Sequence, residues 1–219
     1  MDTMQAIRER HSVRAYKKQT IEEEKRAVLD QLVQKLNDES GLRISIQYDD
    51  PEGFDSRLAH YGKFENVSNY IVMAGKKNED ISEKCGYYGE WLVLEAQKLG
   101  LNTCWVASTF NRSMVKKSLP EDEKLCVAIA LGYGKTNGVQ HKSKSLDRVS
   151  ALKGEMPEWF KAGMEAALLA PTAINQQKFK VDIIDGEPVI RVAGLGGFTK
   201  VDLGIVKYHF EVASGKKVR

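Results

Sequence analysis

The run from Leu125 to Leu131, Leu-Cys-Val-Ala-Ile-Ala-Leu, is apolar at every position. A strand with one wet face alternates apolar and polar residues; an unbroken apolar run reads as a strand buried on both faces. The rest of the chain supplies candidates to surround it. Leu42, Ile44 and Ile46 alternate as a strand, Tyr70 to Ala74 is a short apolar strand, and Asn102 to Val106 reads as a strand or extended turn. Phe179 to Ile184 and Val189 to Val192 flank Asp185-Gly186, a hairpin pattern.

Helical signals are interleaved with these strands. Met4 and Ile7 mark a short helix over residues 3 to 10, with Asp2 or Thr3 as N-cap. Thr20-Ile21-Glu22-Glu23 has the capping-box form and precedes Val28, Leu29, Leu32, Val33 and Leu36 at helical spacing, with Gly41 as the stop. Further helices are expected over 80 to 99, after Asn111 as cap, over 158 to 169 with Pro157 at the start, and over about 200 to 213. Residues 49 to 63 read as a polar loop, and 135 to 155 lack a clear period. Without regular βαβ alternation, the expected class is α+β.

At 219 residues and 42% hydrophobic content, the chain can bury one substantial core, as a single domain or as two closely merged halves. The net charge of +3 is small and scattered, so nucleic acid is not an expected partner. No apolar run reaches the roughly 18 residues of a membrane span, and the first residues lack a signal-like apolar stretch. Cys85, Cys104 and Cys126 stand apart without a CxxC pair, which fits reduced thiols in a cytosol better than disulfides or a metal site. The expectation is a cytoplasmic protein with no membrane or metal partner.

A faint repeat links the two ends. Ile71-Val72-Met73-Ala74-Gly75 resembles Ile190-Arg191-Val192-Ala193-Gly194, and the helices that follow carry Gly89 with Gly100 and Gly204 with Gly215 at the same spacing. Coincidence between two strand–loop–helix units is an equal reading.

Two segments offer chemistry. If residues 10 to 14 are extended, Arg10, Ser12 and Arg14 share a face, two guanidiniums and a hydroxyl suited to a phosphate. Arg8 and Arg10 also make an ordinary basic helix end. After the helix stop at Pro171, Asn175 and Gln177 are again two apart, and their amides match the alternating polar edge of a pyrimidine-like ring; plain loop residues are the alternative. Together the two segments suggest a flavin mononucleotide (FMN) site. The Gly194-Leu195-Gly196-Gly197 stretch fits neither a dinucleotide fingerprint nor a P-loop and reads as a turn. Trp91, Trp105 and Trp159 read as core, and Cys104 as a buried, inert thiol beside Trp105.

Arg-His-Ser-Val-Arg-Ala-Tyr at 10 to 16 resembles the N-terminal flavin-binding motif of the nitroreductase family. Ala-Pro-Thr-Ala-Ile-Asn-Gln-Gln-Lys-Phe at 170 to 179 resembles that family's Ala-Pro-Ser-Ala-x-Asn-x-Gln-Pro-Trp motif. Residues 94 to 110 resemble its helix-to-strand passage ending in Cys-Trp, with Ala107-Ser108 where Gly-Gly is frequent, and 125 to 134 its late strand with Gly-Tyr. The Ala-Pro-Thr segment follows the Cys-Trp passage here, whereas the family's usual order is the reverse, so the chain resembles a divergent branch with permuted motifs.

The resemblance implies a nitroreductase-like fold, a mixed or antiparallel central sheet flanked by helices, with halves of about 1–150 and 151–219. It implies FMN as cofactor, NAD(P)H as electron donor, and a small acceptor such as a nitroaromatic or quinone. Arg10, His11 (through its backbone), Ser12 and Arg14 would contact the flavin's phosphate, ribityl chain or ring edge. Pro171, Thr172, Asn175 and Gln177 would approach the ring, and the Val106-Ala107-Ser108 backbone would lie near its N5 and O4. Lys142 and Lys144 are candidates for the phosphate. No catalytic side chain is implied, because the flavin carries the chemistry. A non-catalytic flavin-binding protein, or a specialised flavin enzyme such as a dehalogenase or flavin-destroying enzyme, are the alternatives. Family homodimers share their sites between subunits; two related halves could complete one site within a monomer.

Overall fold

In a computed structural model describing residues 1–55, 61–78 and 80–219, the apolar run is the interior of a sheet. Its strands are β1 (Leu42–Gln47), β2 (Asn69–Lys76), β3 (Asn102–Val106) and β4 (Glu123–Gly132). They stand in the order β1-β2-β4-β3 with every neighbour antiparallel. β4 is thus paired along both edges, and burial of both its faces accounts for its lack of alternation. One face, through Ile71, Met73, Val127, Ile129 and Leu131, meets the helices. The other, through Val72, Ala74, Ala128 and Ala130, is covered by loop side chains including Phe54, Phe64 and Phe110. Phe54 is the hub of that cover, with ring centroids 5.2 Å from Phe64 and 6.1 Å from Phe110. The β2–β4 ladder skips Cys126, pairing Met73 with Val127 and Ala74 with Leu125, a bulge that shifts the alternation there.

The helices are α1 (Thr3–Glu9), α2 (Glu23–Ser40), α3 (Ile81–Lys98), α4 (Arg112–Lys117), α5 (Leu146–Val149), α6 (Glu158–Ala167) and α7 (Thr199–Ser214). The hairpin is β5 (Phe179–Ile184) with β6 (Glu187–Val192), turned through Asp185 and Gly186 at φ 55° and 82°, the positive values a tight two-residue turn requires. The architecture is α+β, an antiparallel sheet flanked by helices.

Local signals were mostly obeyed. Asp2 caps α1, accepting from Gln5 N at 2.7 Å, and Gly41 ends α2 at φ 69°. The capping box is the exception: α2 begins at Glu23 with Glu22 as an N-cap that makes no side-chain bond. Ile21 is fully buried and its carbonyl accepts from Arg26 Nε at 2.9 Å, which keeps the chain extended past Thr20; the Glu22 carboxylate accepts instead from the Tyr133 hydroxyl.

α3 and α7 cross at two glycines. A Cβ on Gly86 would stand 2.0 Å from Val201 O, and one on Gly204 would stand 2.0 Å from Glu83 O. Each glycine faces the carbonyl three residues before the other glycine, a reciprocal contact of the kind a two-fold axis produces. The counterpart of Gly204 at the crossing is therefore Gly86, not the Gly89 that equal spacing in the sequence aligns with it; Gly89 gives room to the Trp105 ring.

Candidate functional site

A cavity of about 350 Å³ opens where the N-terminal segment, the end of β3, the loop after α6 and the start of α7 meet. The N-terminal wall follows from strand geometry. Arg10 ends α1, its N–H bonded to Ala6 O, and the chain then runs extended beside β3, with Val13 N donating to Thr103 O at 3.0 Å. Val13 turns into the loop-covered core, and the alternation leaves Arg10, Ser12 and Arg14 on the cavity, with His11 also on its wall. Cys104, Trp105, Val106 and Ala107 continue the wall from β3.

The opposite wall is Pro171 to Asn175, braced by Asp202 on α7, which lines the cavity beside it. The Asp202 carboxylate accepts from Ala173 N at 2.9 Å and from Gln176 Nε2 at 2.6 Å. Burial pushes its pKa up to about 6, against the lowering effect of those two bonds. Ile174 and Asn175 are left-handed, at φ 47° and 55°, and the Ile174 side chain is 98% exposed at the cavity mouth. A β-branched residue in that conformation is strained, and the Asp202 brace is what holds it there.

Of the residues expected from sequence, Arg10, His11, Ser12, Arg14, Val106, Ala107, Pro171, Thr172 and Asn175 line this one cavity. Ser108, Gln177, Lys142 and Lys144 are not among its lining residues. Gln177 is buried and splices two loops: its Oε1 accepts from Lys144 N at 2.8 Å and its Nε2 donates to Lys142 O at 2.8 Å. Asn175 Nδ2 donates to the same Lys142 carbonyl at 2.8 Å, so its amide edge is partly spent on the fold. Lys144 Nζ donates to the carbonyls of Gln176 and Gln177 at 2.9 and 2.8 Å.

Sequence reading missed Trp105 as a wall residue, along with Val139, His141, Phe198, Val201, Asp202 and Ile205. Asp202 had a signal, an acid between the apolar Val201 and Leu203 on a helix. Cys104 is buried as expected, and burial raises its thiol pKa.

The wall is electropositive. The Arg10 side chain is 2% exposed, and its Nε and Nη1 find no hydrogen-bond partner among the described residues. Burial lowers its pKa, partly countered by Glu90. Partial burial, with the Arg10 charge, lowers the pKa of His11. Two guanidinium donors left unpaired away from water are a cost that the fold bears at this wall.

A model of the family described as "Putative TM nitroreductase" matches residues 2–214. The chain belongs to this nitroreductase family. Among solved structures, the family's fold recurs in a "putative nitroreductase" from Thermotoga maritima, 24% identical, with a TM-score of 0.69 over 97% of this chain and 83% of that one. A "putative nitroreductase in complex with FMN" from Desulfovibrio desulfuricans is 21% identical, with a TM-score of 0.57 over 72% of this chain and 99% of that one. An FMN-dependent nitroreductase from Clostridium difficile is 19% identical, with a TM-score of 0.51 over 60% of this chain and 87% of that one. No curated protein matches by sequence.

Proposed function

We propose that the cavity holds FMN and that the protein is an NAD(P)H-dependent oxidoreductase of nitroreductase type, reducing a small acceptor such as a nitroaromatic or quinone. The observation that carries this reading is the convergence of the Arg10 and Arg14 guanidiniums and the Ser12 hydroxyl on one cavity wall. It fits an anionic group of a ligand, and FMN brings a phosphate. FMN-bound and FMN-dependent relatives of the same fold support the choice. The bound flavin would supply the hydride-transfer chemistry.

The chain's own residues would bind and orient it. Arg10, Ser12 and Arg14 offer charged and hydroxyl donors from one side, and Thr172 and Asn175 approach from the other. Arg112 Nη1 donates to Ala107 O at 2.9 Å and also bonds Cys126 O, tying the Val106–Ala107 turn to β4 so that this part of the wall is rigid. The exposed apolar side chains of Val139, Ile174 and Phe198 at the rim suit an apolar acceptor and exclude water when it is seated. Gln177 and Lys144 act here as braces of the second wall.

Both walls come from one chain, and α3 and α7 cross reciprocally at Gly86 and Gly204. These support a site completed by two related halves of a monomer, with no nucleic acid or membrane partner. Among the described residues no helix is long and apolar enough to cross a membrane, and three buried free thiols suit a cytosol. The test is the visible spectrum of purified protein before and after NADH, with its sedimentation mass. A flavin spectrum at one FMN per monomer that bleaches with NADH and returns with a quinone is expected. A colourless protein that takes up no added FMN refutes the reading, and a flavin spectrum unmoved by NADH or NADPH reduces it to a binding protein.

A further inference from the structure

Along β4, Val127, Ile129 and Leu131 face the helices, and Ala128 and Ala130 face the loop-covered side. Strict alternation would turn Cys126 to the loop-covered side with Ala128. The bulge reverses the phase: Cys126 joins Val127 on the helix side, and Leu125 goes to the other. Bulges re-aim side chains in this way beside functional sites. What Cys126 meets there is Cys85 on α3, fully buried, and the two thiols share a hydrogen bond.

The pair is open at one end. Cys126 lines a second cavity, of about 330 Å³, and Cys85 is not among that cavity's lining residues. The second cavity shares Phe198 and Val201 with the first, but Cys126 lines only the second. The charged residues that line it among the described residues, Arg112, Lys124 and Lys200, are all cations. Arg112 Nη1 donates to Cys126 O at 3.1 Å, and Lys124 Nζ donates at 3.5 Å to the Oγ of Ser82, one turn before Cys85. The hydrogen bond from Cys85, helped by Lys124, Ser82 and Arg112, holds the Cys126 thiol below its usual pKa against the effect of burial. The same bond, with burial, raises Cys85. The two sulfurs are therefore unequal: a thiolate-rich nucleophile on a cavity among cations, and a protonated thiol held against it.

We propose that Cys126 and Cys85 are a peroxide-responsive dithiol, with Cys126 as the attacking sulfur, Cys85 as the resolving sulfur, and the second cavity as the entry for a small hydroperoxide. The Cys126 sulfur bonds to one peroxide oxygen and the O–O bond breaks. The other oxygen leaves as hydroxide, which the wall cations stabilise, and takes up the proton that the thiol gave up. Cys126 is now a sulfenic acid, oxidised by two electrons. The Cys85 sulfur then attacks it; an S–S bond forms, the S–O bond breaks, and the hydroxyl leaves as water with the Cys85 proton. With hydrogen peroxide as oxidant, one peroxide becomes two waters, and the two thiols lose two electrons and two protons.

The test uses the full-length protein, reduced and freed of reductant, with hydrogen peroxide as the probe and no NADH, so it is independent of whether the first cavity holds FMN. After an alkylating quench in denaturant, peptide mass spectrometry of the wild type should find Cys85 linked to Cys126, with one peroxide consumed per chain and full reversal by dithiothreitol. Cys104, whose thiol burial raises, should oxidise more slowly by about tenfold or more, the thiolate fraction of one pKa unit. In Cys85→Ser the reaction should stop at a Cys126 sulfenic acid that dimedone traps, and in Cys126→Ser the Cys85 thiol should stay reduced. A wild type whose Cys126 passes to sulfinic acid while Cys85 remains a free thiol overturns the dithiol. Oxidation of Cys104 as fast as Cys126, or a Cys126 that peroxide leaves untouched, overturns the site. These results are read on the wild type, so they decide the matter even where a serine variant fails to fold.

Discussion

Replacing Gly204 with alanine opposes two effects of known size. On an open helix surface the change would stabilise by about 1 kcal/mol through helix propensity. At the α3–α7 crossing the new Cβ would stand 2.0 Å from Glu83 O and 2.6 Å from Tyr87 N. A carbon and a carbonyl oxygen sit at about 3.3 Å or more, so the helices must part by roughly 1 Å. Both obstructing atoms are backbone, and neither can swing aside as a side chain would. Overpacking of this kind costs about 1–3 kcal/mol, occasionally more. The upper end applies because parting the helices also loosens the fully or nearly fully buried Cys85, Val201 and Ile205. The net expectation is a loss of about 2 kcal/mol, or roughly 4–8 °C in Tm for a chain of this size. Gly86→Ala should behave alike, given its 2.0 Å approach to Val201 O. The double variant should lose less than the sum, because one separation relieves both contacts. Urea unfolding followed by circular dichroism, with thermal melts, measures all three. A Gly204→Ala protein as stable as wild type, or strict additivity in the double variant, would refute the reciprocal crossing.

The pKa of Asp202, raised from 3.8 to about 6, gives stability a signed pH dependence. Between those values the native state holds a proton that the unfolded chain releases, so the contribution is full below about pH 4 and is lost as pH rises through about 6. Wild type should lose about 2 kcal/mol more than Asp202→Asn between pH 4 and 7, and parallel urea midpoints would count against it. Cys126 is held below the usual thiol range by a hydrogen bond from Cys85 and lines a second cavity, whereas that bond raises Cys85 and burial raises Cys104. Iodoacetamide at neutral pH should therefore label Cys126 first, with peptide mass spectrometry as the check; earlier labelling of Cys104 contradicts the assignment. Arg14→Ala should markedly weaken FMN retention through gel filtration, and undiminished occupancy would remove Arg14 from the site.

The elements were legible where one local cause dominates. Periodicity, Asp2, Gly41, Pro157 and Asp185-Gly186 set most boundaries within a residue or two. The sequence also disclosed Arg10, Ser12 and Arg14 as a face, because alternation along an extended segment is a local rule. What it could not disclose is which polar groups the fold consumes. Asn175 and Gln177 look alike in the chain, yet Gln177 is spent on the backbone of residues 142 to 144 and only Asn175 reaches the wall. Lys144 likewise reads as a free charge until its ammonium is seen capping two carbonyls. The Cys85–Cys126 pair joins a helix to a distant strand and carries no motif at all. The shift from Gly89 to Gly86 has the same origin: sequence spacing matches letters, whereas the crossing matches carbonyls.

The extended segment after α1 has a second duty. β3 ends the sheet on one side, and Ser12 and Val13 pair with Thr103 along its outer edge. An uncovered edge carrying Cys-Trp-Val is a template on which another chain can add a strand. The residues that shield this edge are neighbours of those aimed at the cavity, so a ligand that grips Arg10 and Arg14 also fastens the shield. Chains that fold faster than they acquire a ligand would then be the ones to self-associate, and the supply of the small molecule would govern solubility as well as activity.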